Sequence, residues 1–245
     1  MPEKTDTFLG TYLVLVASDV LARSRLPGPS PGDGGPPVTA ADNTAGRIGR
    51  VNMQIVGIGG SVDTGSQSEA ALRAVLTAVQ RRGAQVRAFT GPAIDLPPYF
   101  TGADIPSRAR DYIEAVRSAD AVVISSPGYH GSISGVLKNA LDYLEELRSD
   151  NRPYLDGRAV GLVAVARGWQ ASVNTLAGLR QVVHALRGWP TPYGVTVNSG
   201  VTRFDENNRT TDQRSNESLE LMAGQMVDFA SKMGTGTQSH HRPAQ

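Results

Sequence analysis

Residues 121–148 read AVVISSPGYHGSISGVLKNALDYLEELR, and the architecture follows from this stretch. Ala121 to Ser125 is a short β-branched apolar run, the pattern of a strand buried on both faces. Ser134 to Arg148 then spaces its apolar residues at a helical period, and Ser126 to Ser132 is the loop between the two. A buried strand feeding a helix is half of a crossover unit, and the crossover returns to a parallel strand.

The same alternation continues outward in both directions. Met53 to Gly59 (MQIVGIG) is a strand closed by glycines, followed by a helix over Ser66 to Arg82. That helix carries an apolar stripe of Ala70, Leu72, Ala74, Val75, Ala78 and Val79 and is stopped by Gly83. Gln85 to Phe89 is the second strand; a Pro-rich loop over Gly91 to Phe100 leads to a helix over Ile105 to Ser118. Beyond the opening stretch, Ala159 to Ala166 (AVGLVAVA) is the fourth strand, Ser172 to Arg187 a helix, the fifth strand lies near Tyr193 to Val197, and Asp212 to Met233 closes as a helix. Five strands joined by helices predict an α/β fold with one parallel sheet covered on both faces. Ligands of such sheets collect beyond the carboxyl ends of the strands, so three loops matter: Gly60 to Gln67, Ser126 to Ser132 and Arg167 to Ala171.

Composition narrows the chemistry. Pro27 to Pro37 holds nine Pro or Gly in eleven residues, so residues 1–50 read as a flexible extension and linker, 51–233 as the folded domain and 234–245 as a polar tail. The 24 Lys+Arg and 23 Asp+Glu leave a charge of +1, which gives no global field to recruit nucleic acid or an anionic membrane. No stretch approaches the roughly 18 to 20 apolar residues of a membrane span, and the apolar run Leu9 to Ala22 lacks the basic lead of a secretory signal. With no cysteine there is no disulfide framework, thiolate metal site or cysteine nucleophile, which suits a reducing, cytoplasmic setting. Redox chemistry would then belong to a bound cofactor.

Between the first strand and its helix, Gly59 to Ser68 (GGSVDTGSQS) supplies small and hydroxyl residues at a helix start. Free backbone N–H groups, the helix dipole and hydroxyl donors there suit a phosphate, and the same residues also suit an ordinary Gly-turn in which Ser66 caps the helix. The spacing departs from both common nucleotide loops: aligned on Gly57 and Gly59, the third glycine of G-x-G-x-x-G is Val62, and no Gly-Lys-Ser/Thr follows. Asp63 places a carboxylate where an anion site would favour a cation.

The stretch Pro127-Gly128-Tyr129-His130-Gly131-Ser132-Ile133-Ser134-Gly135-Val136-Leu137-Lys138-Asn139-Ala140-Leu141-Asp142 closely resembles the pattern Pro-Glu-Tyr-Asn-Gly-Ser-Ile-Pro-Gly-x-Leu-Lys-Asn-Ala-Leu-Asp of the NAD(P)H-dependent FMN reductase family. The likeness continues more weakly from about Val51 to Ala230. It implies a flavodoxin-like three-layer sandwich with strand order 2-1-3-4-5. It also implies FMN as cofactor and NADPH or NADH as donor, with hydride passed through flavin N5 to a small-molecule acceptor: free flavin, a quinone, an azo or a nitro compound. In this reading Ser61, Ser66 and Ser68 hold the phosphate, Pro127, Gly128, Tyr129, His130 and Gly131 frame the flavin ring, and Arg167, Gly168 and Trp169 form a second flavin loop. No protein acid or base is obligatory for the hydride step, so no catalytic residue is assigned.

The resemblance further implies a homodimer or homotetramer, in which the helix after the loop contributes to the interface, and a possible flavin-dependent monooxygenase as client. Lys138, Asn139 and Asp142 then read as structural or interfacial, and the row Ile133, Val136, Leu137, Ala140, Leu141 and Leu144 as a surface part of which meets a second subunit. His184 reads as helix packing. The chain departs from the family at Gly128, at His130 and at Asp63, which replaces an arginine. Two other functions fit the same scaffold: a non-enzymatic electron carrier, disfavoured by the balanced charge of the folded stretch, and a biosynthetic flavoenzyme, suggested by Gly128 and His130.

Overall fold

The computed structural model describes residues 53–236, so the expectations for residues 1–50 and for most of the 234–245 tail lie outside the described residues. Its elements are β1 (Gln54–Gly59), α1 (Gln67–Arg81), β2 (Gln85–Phe89), α2 (Ser107–Ser118), β3 (Ala121–Pro127), α3 (Gly135–Asp142), β4 (Ala159–Ala166), α4 (Trp169–Ala185), β5 (Trp189–Pro190), β6 (Val195–Asn198) and α5 (Gln213–Gly236). All pairings between these strands are parallel, in the order β2-β1-β3-β4, with β5 and β6 both on the outer side of β4. This is the 2-1-3-4-5 order, with the fifth position filled in two pieces.

The break in the fifth strand has a local cause. Trp189 and Pro190 lie opposite Ala159 and Val160, and Val195 lies opposite Val163, so four residues from Thr191 to Gly194 face only Gly161 and Leu162. Pro190 and Pro192 cannot donate to a ladder, which is tolerated at a sheet edge through a bulge. The sequence expectation of Tyr193 to Val197 therefore captured only the second piece.

Alternation along the strands sorts the core into two layers. Val56, Ile58, Val122, Ile124, Val160 and Leu162 pack with Tyr112 of α2, Leu137 and Leu141 of α3 and Leu179 of α4. Ile55, Val123, Val163 and Val165 pack on the other face with Leu72 and Val75 of α1 and Met222 and Met226 of α5. The result is a three-layer sandwich. Gly83 stops α1 as expected: at φ 93° its N–H donates to Gln80 O and the next N–H, of Ala84, to Val79 O, a Schellman closure.

Three expectations are corrected here. The helix predicted over Ser134 to Arg148 is α-helical only to Asp142 and tightens into a 3₁₀ turn over Tyr143–Leu147. Leu137, Ala140, Leu141 and Leu144 are buried within the subunit's own core, so the row read as an interface is mostly interior, leaving only Ile133 and Val136 half-buried. His184 is exposed in the last turn of α4 rather than packed, a placement that suits a cation at a helix C-terminus.

Candidate functional site

Beyond the carboxyl ends of β1, β3 and β4 the loops meet one another. Ser134 Oγ donates to the carbonyl of Gly60 at 2.6 Å, and Ser125 Oγ donates to the carbonyl of Ser68 at 2.8 Å, so the loops after β1 and β3 are tied together. Gly60 has no room for a side chain: a Cβ would stand 2.9 Å from Pro127 Cδ and 3.0 Å from Ser126 Cα. Gly91 N–H joins the loop after β2 to Ser61 O, and Gln67 pairs reciprocally with the backbone of Phe204 in the loop after β6.

In the first loop, Ser66 caps α1, its Oγ accepting from Glu69 N–H at 3.2 Å and lying 3.2 Å from Ser68 Oγ. Ser61, buried, accepts the N–H of Asp63 on its Oγ. The first N–H groups of α1, those of Gln67 and Ser68, have no intrahelical partner, as at any helix start. The hydroxyls of Ser66 and Ser68 thus lie together beside orphan donors at a helix start, the kind of place an anion favours, and Ser61 stands in the same loop.

Sequence reasoning missed Glu69. Its nearly buried carboxylate accepts from Gly65 N–H at 2.9 Å, from Thr90 Oγ1 at 2.9 Å and from Arg73 at 2.6 and 2.9 Å, and so binds the loop to the end of β2. Burial pushes this carboxyl up, but the hydrogen bonds from Arg73, Gly65 and Thr90 outweigh that and hold it below the ordinary glutamate range. The Ser66-x-x-Glu69 spacing is a capping-box signature that could have found it. With Arg73 committed to Glu69, and Asp63 exposed on the loop, an anion here would be held by neutral donors rather than by a cation.

The loop after β3 is a tight hairpin. Tyr129 and Ser132 exchange both backbone hydrogen bonds at 3.0 Å around His130 and Gly131, whose φ values of 52° and 79° define a type I′ turn. The family's Asn-Gly is the preferred pair for that turn, and histidine is among the residues that tolerate the left-handed region, so His130 fills a conformational post with an exposed side chain. Gly128 is explained by packing: its Cβ would lie 2.7 Å from Thr175 Oγ1, leaving no space for the family's glutamate. Its N–H extends the sheet by donating to Val165 O at 2.8 Å. Pro127 and Gly131 are half-buried, and Tyr129, in the hairpin, is 52% exposed.

Arg167, Gly168 and Trp169 lead from β4 into α4, with Arg167 and Trp169 exposed. Gly168 is the N-cap at φ −143°, a conformation open to any residue, and a Cβ on it would meet nothing within 4 Å. The space beside this backbone is free for a ligand. Thr175 Oγ1 donates to Ser132 O at 3.3 Å, which sets α4 against the Tyr129 hairpin. Among the residues read as structural, Asn139 clamps the loop after β2, accepting from Tyr99 N–H and donating to the carbonyls of Leu96 and Pro97. Lys138 and Asp142 form an exposed ion pair. Among the described residues no group of three or more His, Asp or Glu side chains is placed to hold a metal.

The fold and these loops define a class. The family described as NADPH-dependent FMN reductase matches residues 53–202, and the chain belongs to that family. Among curated relatives it is 33% identical over 140 residues to the FMN-dependent NADPH-azoreductase of Staphylococcus haemolyticus (strain JCSC1435), a match covering 57% of this chain and 65% of the azoreductase. Among solved structures it resembles FerB, a flavoenzyme NAD(P)H:(acceptor) oxidoreductase from Paracoccus denitrificans, with a TM-score of 0.62 and 18% identity over 74% of this chain and 98% of that one. A flavodoxin, WrbA-like protein from Agrobacterium tumefaciens superimposes with a TM-score of 0.53 at 14% identity, covering 74% and 99% of the two chains. These structural likenesses establish the flavodoxin-like fold.

Proposed function

We propose that the chain is an NADPH-dependent FMN oxidoreductase that reduces a small-molecule acceptor such as a free flavin, quinone, azo or nitro compound. The observation that carries this reading is the junction of loops at the carboxyl ends of β1, β3 and β4, where a hydroxyl-rich helix start adjoins a rigid aromatic hairpin and an open Gly168 backbone. The residues fit FMN: Ser61, Ser66, Ser68 and the first N–H groups of α1 hold its phosphate, while Pro127 to Gly131 and Arg167 to Trp169 bound its ring. When bound, FMN supplies a ring that takes hydride from the nicotinamide and delivers it to the acceptor.

The chain's own groups bind and orient. The type I′ turn presents Tyr129 at a fixed angle as one wall, and Gly168 lets the ring approach the backbone closely. Glu69 fixes the loop that carries the phosphate donors and keeps Arg73 out of direct anion binding. The phosphate is therefore held by hydrogen bonds more than by charge, and FMN affinity should depend only weakly on salt.

Phe100 and Tyr129, both more than half exposed on the two loops that flank α3, are the groups a second subunit would cover, which supports a homodimer or homotetramer. A cysteine-free chain suits a cytoplasmic setting, where reduced flavin could also serve a flavin-dependent monooxygenase. Among the described residues no helix is long and apolar enough to cross a membrane. The test is fluorescence titration of FMN against Ser61→Ala. Losing one hydrogen bond to a charged phosphate costs about 1.5 to 3 kcal/mol, so affinity should fall roughly tenfold or more. Unchanged affinity would remove Ser61 from the site.

A further inference from the structure

We infer that a separate cleft at the free edge of the sheet takes the adenosine 2′-phosphate end of NADPH, an inference that rests on the donor proposed above. The cleft, about 570 Å³ in volume, lies along β6 between the start of α4 and the start of α5. Trp169, Tyr193 and Val201 line it and are 55%, 39% and 74% exposed, so three large apolar side chains that ordinary folding would bury converge on one hollow. Trp169 also belongs to the loop assigned to the flavin, so the hollow and that loop share a side chain.

Its chemistry suits a purine. Tyr193 is a fixed wall: its hydroxyl lies 3.1 Å from Ser218 Oγ and its N–H donates to Gln225 Oε1 at 3.0 Å. An aromatic wall of this kind accepts a nucleobase by stacking. Between the aromatics runs β6, whose only strand partner among the described residues is β4. Ser199 N–H donates to Ala166 O, so by strand alternation Val197 and Val195 also face β4, while the N–H and C=O of Thr196 point outward into the cleft. One donor and one acceptor on this single half-buried residue match the paired donor and acceptor on the edge of adenine.

A cation completes the site. Arg214, in the first turn of α5, lines the cleft, is exposed and makes no ion pair among the described residues. The one carboxylate in the lining, Asp212, is already occupied, accepting from Ser215 Oγ at 2.6 Å, Thr202 Oγ1 at 3.0 Å and Arg214 N–H at 3.2 Å. A free guanidinium beside stacking walls favours a nucleotide with an extra phosphate over one without it. The flavin loop after β3 and the cleft beyond β6 are two strand spacings apart, about 10 Å, a separation that an extended dinucleotide bridges.

The chain contains two tryptophans, so Trp189→Phe leaves Trp169 as a single fluorophore inside the cleft. In that background adenosine 2′,5′-bisphosphate should quench the emission and compete with NADPH. Adenosine 5′-monophosphate and the Arg214→Gln variant should each bind about tenfold or more weakly. Absence of quenching, or equal binding by Arg214→Gln, overturns the assignment. A chain that reduces FMN with NADPH yet shows no quenching contradicts the cleft and leaves the flavin reading standing; one that binds the bisphosphate but never reduces FMN supports the cleft and contradicts the flavin reading.

Discussion

Replacing Ser134 by alanine should loosen both halves of the site at once, and the cost can be worked from its bonds. The side chain is 3% exposed; its Oγ accepts from Leu137 N–H at 3.2 Å as the cap of α3 and donates to Gly60 O at 2.6 Å. Losing a serine N-cap to alanine costs about 1 kcal/mol. Leaving the buried Gly60 carbonyl without its donor costs a further 1 to 3 kcal/mol or so, for a total of about 2 to 4 kcal/mol. For a domain of this size that is a fall of roughly 5 to 15 °C in Tm. Ser134→Gly separates the two terms, because glycine is almost as good a cap as serine and loses only the bond to Gly60. Urea and thermal unfolding of the three proteins, with and without FMN, would measure each term. A loss below about 0.5 kcal/mol for Ser134→Ala, the range of an ordinary surface change, would refute the reasoning.

Tyr112 is fully buried and its hydroxyl is the one buried side-chain polar atom without a partner among the described residues, so Tyr112→Phe should be neutral or stabilising by up to about 1 kcal/mol in urea unfolding. Gly128→Ala brings a Cβ to 2.7 Å from Thr175 Oγ1 and should cost about 1 to 3 kcal/mol, a penalty that Gly128→Ala/Thr175→Ala should largely relieve. The Glu69 carboxyl is lowered in the folded chain, so the unfolded chain takes up its proton first as pH falls. Its stabilisation is present above about pH 4.3 and is lost below it as pH drops through the folded value; Glu69→Gln should flatten that part of a stability–pH profile, and an unchanged profile would contradict the assignment.

The sheet was legible because buried parallel strands announce themselves: AVVIS and AVGLVAVA have no polar interruption and had to be covered on both faces. The fifth strand was only half legible, since Trp189 and Pro190 sit across a bulge whose register is set by β4, a partner remote in sequence. The tight turn at His130 and Gly131 hid behind a substitution that conserves conformation while changing chemistry. Leu141 and Leu144 satisfied the pattern of an exposed apolar row, but the row's direction depends on where α3 docks, and it docks inward. Asn139 was legible as structural or interfacial, but its partners were not, because Leu96, Pro97 and Tyr99 lie some forty residues away in a loop without periodicity. In the first loop the capping role of Ser66 was legible and the Ser66-x-x-Glu69 spacing points to Glu69, whereas the hold of that carboxylate on Thr90, at the end of β2, required the folded geometry.

The most direct test is the absorption spectrum of the purified full-length chain, alone or after addition of FMN, followed through anaerobic mixing with NADPH. The account predicts a protein that holds FMN and whose flavin absorbance bleaches on mixing and returns when a quinone or azo acceptor is supplied. A folded protein that binds no FMN, or one whose bound FMN keeps its colour in the presence of NADPH, would contradict it.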